Sequence, residues 1–265
     1  MPTIAPPTVV TGAPRIPLPF GLFSVLAPRV DAEARWENGV RWETLTCEPA
    51  GGRGAPECDP EVDVIGLPKE LDANAGETGE ASSFAVYGHY TCSPIGNAPA
   101  DAQARADAHL IAREEARVEQ ALWTGDLGNT PNIVDAAADL GGFASSWASV
   151  AALEQHLAET YGSQGVLHMS RSTALLLFKD GSLTSRNGRL QTPLETPVVA
   201  GTGYPDDAIA ITPALFGYRS EIFASSNVPY DLLDRKQNNL YAIAERVYLL
   251  GFDPCGAAIA TRTTP

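Results

Sequence analysis

Residues 97–128, NAPADAQARADAHLIAREEARVEQALWTGDLG, have the pattern of one long helix. Asn97 can cap its start, Pro99 stands in the first turn where a missing N–H costs nothing, and Gly125 follows its end. Apolar residues recur in steps of three and four at Ala104, Ala108, Ile111, Val118 and Leu122. This spacing predicts one buried face on a rod roughly 37 Å long.

The other face of this predicted helix carries charged side chains. Opposite charges lie about one turn apart, at Asp101/Arg105 and Glu114/Arg117, where such pairs stabilise a helix slightly. Glu114, Glu115 and Glu119 could suggest a carboxylate metal cluster, but a di-metal site on helices also needs histidines three positions further on. These glutamates lack them, so we interpret the face as solvated or as a contact with another subunit.

Composition limits the classes of protein that fit the chain. The 265 residues are 44% hydrophobic, enough for a sizeable core in one large or two smaller domains. The net charge of −14 argues against direct nucleic-acid binding, which needs a basic face. No apolar run is long enough to span a membrane, and the N-terminus lacks the basic and apolar regions of a secretory signal.

Motifs that carry chemistry are missing from the sequence. It contains no GxSxG elbow, P-loop, GxGxxG or HExxH. Gly201-Thr202-Gly203 resembles a glycine loop only superficially, because Pro205 follows and no helix opens there to bind a phosphate. The four cysteines and four histidines have no metal-ligand spacing. We therefore expect no enzymatic activity, no cofactor and no metal.

Two of the cysteines are candidates for a disulfide. Cys47 and Cys58 bracket the Pro/Gly-rich loop EPAGGRGAPE, which is short enough to close as a disulfide. The alternative is that both stay reduced, as is usual in a cytosolic protein.

The region before the helix is predicted to be extended. Residues 1–30 contain many prolines, which prevent helix, together with too many apolar residues for a solvated tail. We expect this arm to lie in a groove, with disorder as the alternative. In residues 31–96, strands at Val40–Cys47 and Ser83–Cys92 flank nearly forty residues rich in Gly, Pro, Asp and Glu. We interpret this region as a long two-stranded projection that becomes ordered against other subunits.

The region after the helix is predicted to be compact. Residues 129–226 alternate helices with short strands, among them Val166–Met169, a helix at Arg171–Phe178, and a sheet pattern at Phe216–Phe223. Two final strands, Leu240–Leu250 and Ala257–Thr263, are expected to pair with each other and to pack under the long helix.

This order of elements resembles the major capsid proteins of tailed bacteriophages, the Hong Kong-97-type fold. Three passages add to the resemblance: residues 113–126, REEARVEQALWTGD, are similar to the end of the spine helix; residues 166–205 to the axial domain; and residues 244–263, AERVYLLGFDPCGAAIATRT, to the closing strands. The resemblance implies an α+β chain made of an N-terminal arm (1–30), an extended two-stranded loop (31–96), a spine helix (97–128), an α/β axial domain (129–228) and peripheral-domain strands (229–265).

The function implied by this resemblance is mechanical. Copies would form hexamers and pentamers of an icosahedral head shell that encloses double-stranded DNA without binding it specifically. The shell would assemble in the host cytoplasm, become part of the virion, and involve scaffold, portal and decoration proteins but no membrane. The residues expected at subunit contacts are Trp36, Trp42, Glu114, Arg117 and Glu119.

Two alternative functions and one covalent feature stay open at this point. An encapsulin shell, which encloses a cargo enzyme, shares the fold but usually has a shorter projection. A soluble α/β enzyme with a disordered N-terminal third would be a monomer or small oligomer with a polar pocket. Some capsid relatives form a Lys–Asn crosslink, for which Lys69 and Asn238 or Asn239 are candidates here, although no supporting catalytic carboxylate is evident.

Overall fold

The computed structural model describes residues 16–30, 34–44, 50, 78–94, 98–224, 233–234 and 236–262. The predictions for residues 1–15, Cys47, Cys58, Lys69 and Asn97 lie outside this part of the chain. The described residues form two sheets of six and seven strands, a two-stranded ribbon and four α-helices. The α+β class is confirmed. No helix in the described part is both long and apolar enough to cross a membrane.

The predicted long helix is α1, Pro99–Thr124. Proline occupies its first turn, and Gly125 ends it in the left-handed conformation at φ 67°, donating its N–H to the Ala121 carbonyl. Both ends therefore follow the sequence signals, apart from the cap, where Ala98 makes no side-chain hydrogen bond.

The buried face of α1 differs from the predicted one. Ala104, Ala108 and Ile111 are exposed. The buried residues follow a neighbouring stripe: Ala102, Ala106, Leu110, Glu114, Val118, Glu119 and Leu122. Two of them are glutamates, so a search for apolar periodicity selected the wrong stripe in the first half of the helix.

The first sheet lies directly against α1. Its centre is β14 (Asn239–Gly251), which pairs antiparallel with β4 (Ser83–Cys92) over ten residue pairs. In the first half of β14, residues at alternate positions are buried, and its last four residues are all buried. A Cβ at Gly88 would lie 2.5 Å from the Leu110 nitrogen, so the absence of a side chain there lets helix and strand touch. The remaining strands are β1 (Arg29–Val30), β11 (Phe216–Arg219), β12 (Phe223–Ala224) and β13 (Leu233–Asp234).

The predicted two-stranded projection has a different pairing. β2 (Val40–Glu43) pairs with the short β3 (Thr78–Ala81), not with β4. β4 belongs to the sheet under α1 because its alternate residues Phe84 and Val86 are buried there. The expected pairing of Val40–Cys47 with Ser83–Cys92 is therefore wrong.

The second sheet has its own hydrophobic core. Its order is β5-β15-β10-β6-β9-β8-β7, and the helices α3 (Ser146–Thr160) and α4 (Arg171–Lys179) contact it, while α2 (Ile133–Ala136) is a single turn after α1. All residues of β6 and β10 are buried. The strands are β5 (Ala138–Phe143), β6 (Gly165–Ser170), β7 (Thr184–Arg186), β8 (Arg189–Gln191), β9 (Pro197–Gly201), β10 (Ala208–Pro213) and β15 (Ala258–Arg262).

The last strands connect the two sheets, contrary to the prediction. β14 lies in the first sheet, whereas β15 pairs with β10 and β5 of the second. In the other direction, β11 and β12 leave the 129–228 block and pair with β14. The expected pairing of the two final strands is wrong, because the turn at Pro254–Gly256 carries the chain from one sheet to the other. Strand partners at such a crossing depend on long-range contacts rather than on local pattern.

Candidate functional site: a carboxylate cluster where the arm, the helix and the second sheet meet

Glu119 of α1 joins three parts of the chain. Its Oε1 accepts the N–H of Leu22 at 3.0 Å, and its Oε2 accepts those of Thr202 at 2.8 Å and Gly203 at 3.0 Å. The residue is 1% exposed. Three main-chain donors can replace the water that a carboxylate loses on burial. Glu119 therefore links the arm to α1 and α1 to the loop that follows β9.

The loop that contacts Glu119 is the glycine stretch noted in the sequence. A Cβ at Gly201 would overlap the Glu119 carboxyl group, and one at Gly203 would lie 2.5 Å from the Gln120 nitrogen. Glycine at both positions lets the loop backbone reach the helix. The N–H groups of Thr202 and Gly203 thus bind a carboxylate of the same chain and are not free to bind a phosphate.

Glu115, one turn earlier, holds the arm as well. Its Oε1 accepts the N–H of Phe23 at 2.8 Å, and Gly21 lies directly against the carboxyl group. The arm is also bound on the other side, where Arg171 donates to the Pro19 carbonyl at 2.8 Å and the Phe20 carbonyl accepts the N–H of Ala200 at 2.7 Å. Segment 19–23 is therefore docked mainly through its backbone. Leu22, fully buried, adds an apolar anchor.

Burial raises the pKa of both arm-binding glutamates. For Glu119, loss of water is the largest influence, and the N–H donors and the charge of Glu115 act in opposite directions. For Glu115, burial again raises the pKa most, opposed by the Phe23 N–H and by Arg171. A raised pKa means that the ionised form of each group is disfavoured by its surroundings.

Glu114 belongs to a different contact, against the first sheet. Its two oxygens accept from the Arg246 guanidinium at 2.9 Å each, and the Tyr248 hydroxyl donates to Oε2 at 2.8 Å. Burial and the nearby Glu114 charge raise the pKa of Tyr248. This contact fixes the middle of α1 on β14.

Glu114 and Glu119 do not lie on a solvated face, because their carboxylates are buried against other parts of the same chain. Glu114 pairs with Arg246 and not with Arg117, and Arg117 binds both oxygens of Asp126 at 2.9 and 3.0 Å. Arg117 remains partly exposed. Sequence periodicity could not find these partners because each lies far along the chain.

The two tryptophans proposed for subunit contacts also pack within the chain. Trp36 is 5% exposed and stacks on Tyr218 with ring centres 5.7 Å apart. Trp42 donates from Nε1 to Asp253 at 2.8 Å and meets the edge of Phe216. These contacts attach β2 and the short helical turn before it, Ala34–Asn38, to the first sheet and to the turn before β15. A role for Trp36, Trp42, Glu114, Arg117 and Glu119 between subunits stays a prediction.

The disulfide predicted between Cys47 and Cys58 stays a prediction. Cys255 is disulfide-bonded and Cys92 is free, whereas Cys47 and Cys58 lie outside the described residues. Because the chain has four cysteines, a Cys47–Cys58 bond would leave Cys255 without a partner. The pairing to test is therefore between Cys255 and one of those two.

A buried polar group in the second sheet was not anticipated. His168 lies between the Tyr204 hydroxyl at 3.1 Å and the Thr212 hydroxyl at 3.0 Å. Burial lowers the pKa of His168 to about 3, so its imidazole is neutral and serves packing. No group of three or more His, Cys, Asp or Glu in the described part of the chain is placed to hold a metal.

The chain is similar to solved shell proteins over nearly its whole length. The capsid protein of an empty GTA particle is 15% identical with a TM-score of 0.59, covering 98% of this chain and 96% of that one. The major capsid protein of phage G, solved with its decoration proteins, is 10% identical with a TM-score of 0.56, covering 97% and 95%. The SrpI encapsulin of Synechococcus elongatus is 10% identical with a TM-score of 0.58, covering 97% and 92%.

No protein-family model and no curated protein matches the sequence. The fold is nevertheless that of the Hong Kong-97-type shell proteins, as the resemblance in sequence order implied.

Proposed function

We propose that this chain is a major capsid protein that self-assembles into hexamers and pentamers of an icosahedral phage head around packaged double-stranded DNA. The observation that carries the proposal is the match over 97–98% of the chain to proteins solved as capsids. The proposed role is structural, with no enzymatic step.

The surface of the second sheet's helices supports an assembling protein. Four large apolar side chains are exposed on these two helices, at Trp147, Leu175, Leu176 and Phe178. Exposed apolar groups concentrated in one region of a protein are typical of sites that become buried against other proteins. Burial against neighbouring copies would stabilise the folded chain by mass action.

The carboxylate cluster has a mechanical place in this proposal. Glu115 and Glu119 attach the arm to α1, and Glu119 also attaches α1 to the second sheet through Thr202 and Gly203. A shell subunit must carry load between its parts without unfolding, and buried hydrogen bonds between distant segments serve that need. The net charge of −14 suits a wall that encloses DNA without binding it tightly.

The partners implied by this proposal are other copies of the chain, together with scaffold, portal and decoration proteins. Assembly would take place in the host cytoplasm and the product would be the virion. The phage G structure supports decoration proteins as partners, because the similar capsid protein of that phage was solved together with decoration proteins.

The match to the SrpI encapsulin favours a second candidate, a compartment shell around a cargo enzyme. The two candidates differ in contents, since a phage head encloses nuclease-protected DNA and an encapsulin encloses protein. The long acidic segment between β2 and β3 favours the phage head, because encapsulins usually have a shorter projection.

Expression of the full chain, followed by size-exclusion chromatography and negative-stain microscopy, tests the proposal. We expect capsomers or closed shells. A monodisperse monomer or small oligomer at every protein and salt concentration would contradict the shell function. Particles purified from the native source should contain nuclease-resistant DNA; a protein cargo without DNA would establish the encapsulin function instead.

A further inference from the structure

Two of the four histidines meet where α1 packs on β4. His89 of β4 and His109 of α1 are both exposed, and their ring centres lie 5.8 Å apart with the ring planes at 69°. The two residues are 20 positions apart along the chain, so no metal-ligand spacing in the sequence predicts the pair. Only the packing of helix on strand brings the two imidazoles together.

A hydrogen bond fixes the position of the proton on the His109 ring. Its Nδ1 atom lies 3.1 Å from the main-chain carbonyl oxygen of His89. Because a carbonyl oxygen can only accept, Nδ1 carries the hydrogen and Nε2 keeps its lone pair. Histidines that ligate metals usually donate their other ring N–H in this way, which orients the ring and makes the ligating nitrogen more basic. Among the residues that the structure describes, none binds Nε2 of His109 or either ring nitrogen of His89.

The spacing of the two rings suits one shared ion. Metal–nitrogen bonds of about 2.0–2.1 Å place an ion roughly 3.2 Å from the centre of each imidazole. The ring centres are then about 5.2 Å apart at a tetrahedral angle and about 6.4 Å apart when the rings bind from opposite sides. The observed 5.8 Å lies between these limits. Since no hydrogen bond to another described residue holds the exposed His89 ring, one of its nitrogens can turn toward the ion.

The surroundings of the pair select the kind of ion. Arg105 and Arg113 lie one turn before and one turn after His109 on α1, and the Arg105 guanidinium lies over the Tyr90 ring. These positive charges repel a cation, so binding has to come from the metal–imidazole bond itself. Imidazole suits Zn²⁺, Ni²⁺ and Cu²⁺, whereas Ca²⁺ and Mg²⁺ take oxygen ligands. No third His, Cys, Asp or Glu in the described part of the chain is placed to join the pair, so water completes the coordination.

We propose that His89 and His109 form a binding site for a divalent transition-metal ion that links β4 to α1. The site is separate from the carboxylate cluster, whose glutamates lie further along α1. The proposal differs from the expectation that the chain holds no metal, which rested on spacing along the sequence. An ion that binds only the folded chain, at a free concentration about 100 times its dissociation constant, raises the folding equilibrium constant about hundredfold.

Calorimetric titration of the unassembled full chain with NiCl₂, in a buffer that does not chelate metals, tests the site. We expect one ion per chain and an affinity about tenfold or more lower in His89→Gln and in His109→Gln, because loss of a ligand costs at least as much as loss of its hydrogen-bond partner. His156→Gln, which removes a histidine of α3 instead, is the matched control and should bind like the wild type. Equal affinity of all three variants would overturn the proposal.

Nuclear magnetic resonance of the unassembled chain with ¹⁵N-labelled histidine identifies the ligands directly. One equivalent of ZnCl₂ should shift the ring nitrogens of His89 and His109 and leave those of His156 and the buried His168 unchanged. Absence of shifts at the pair would refute the site. Both measurements are independent of assembly, so failure to form shells would refute the proposed function and not the metal site, whereas normal shells without ion binding would refute the metal site alone.

Discussion

The carboxylate of Glu119 accepts the N–H of Leu22 at 3.0 Å although the two residues lie 97 positions apart. The contact holds the arm on the C-terminal part of α1 and does so at a buried position. Since the same carboxylate also binds the loop at Thr202 and Gly203, three separate segments depend on one side chain.

Removal of this carboxylate is expected to destabilise the chain itself. Glu119→Ala leaves the N–H groups of Leu22, Thr202 and Gly203 without their acceptor and should lower the free energy of unfolding by about 3 kcal/mol or more. Urea denaturation of the unassembled protein measures this. Glu221→Ala, at an exposed position, should change it by less than about 0.5 kcal/mol. If Glu119→Ala impairs assembly but leaves the free energy of unfolding unchanged, Glu119 acts between subunits, as predicted from the sequence.

The ion pair between Glu114 and Arg246 should show strong coupling. Arg246→Met leaves the buried Glu114 charge with only the Tyr248 hydroxyl and should cost about 3–5 kcal/mol, whereas the double variant with Glu114→Met should recover much of that loss. A double-mutant cycle measured by denaturation gives the coupling. The exposed pair Arg41–Glu80 is the control, with an expected coupling below about 1 kcal/mol. Similar coupling in both pairs would contradict the assignment.

Stability should depend on pH through His168. Its pKa is lowered to about 3 by burial, so below the ordinary value of 6.5 the unfolded chain binds a proton that the folded chain does not. Its contribution to stability is complete above pH 6.5 and is lost as the pH falls toward 3, with a slope approaching about 1.4 kcal/mol per pH unit. Between pH 7 and 5, the free energy of unfolding should fall less steeply with decreasing pH in His168→Gln than in the wild type. An unchanged slope would show that this imidazole is accessible to protons.

Peptide mapping without reductant should find a disulfide at Cys255. We expect Cys47 as the partner, because the Trp42–Asp253 hydrogen bond holds the end of β2 beside the turn at Pro254–Gly256 and Cys47 follows five residues later. Cys92 should be alkylated as a free thiol. Isolation of a Cys47–Cys58 peptide would instead support the pairing expected from the sequence.

Much of the local structure could be predicted without coordinates. Pro99 and Gly125 limit α1, Ser170 caps α4 through its hydroxyl, and the buried run at β6 appears in the expected place. These features depend on residues close to each other along the chain, where backbone restriction and capping act directly. The order of elements then sufficed for the resemblance to shell proteins.

The carboxylate cluster could not be predicted, for a physical reason. Glu114 and Glu119 have the same local surroundings as any glutamate on a polar helix face, and their burial depends on Arg246, Leu22 and the loop after β9.

The sequence alone determined the long helix, its two ends, the strand and helix segments around it, and the absence of a recognisable catalytic motif. Only the tertiary structure decided which stripe of α1 is buried, that β15 leaves β14 for the second sheet, and that the arm is held by two glutamates. Helix ends are set by interactions over a few residues, whereas strand partners and buried charges are set by groups that meet only after the chain has folded.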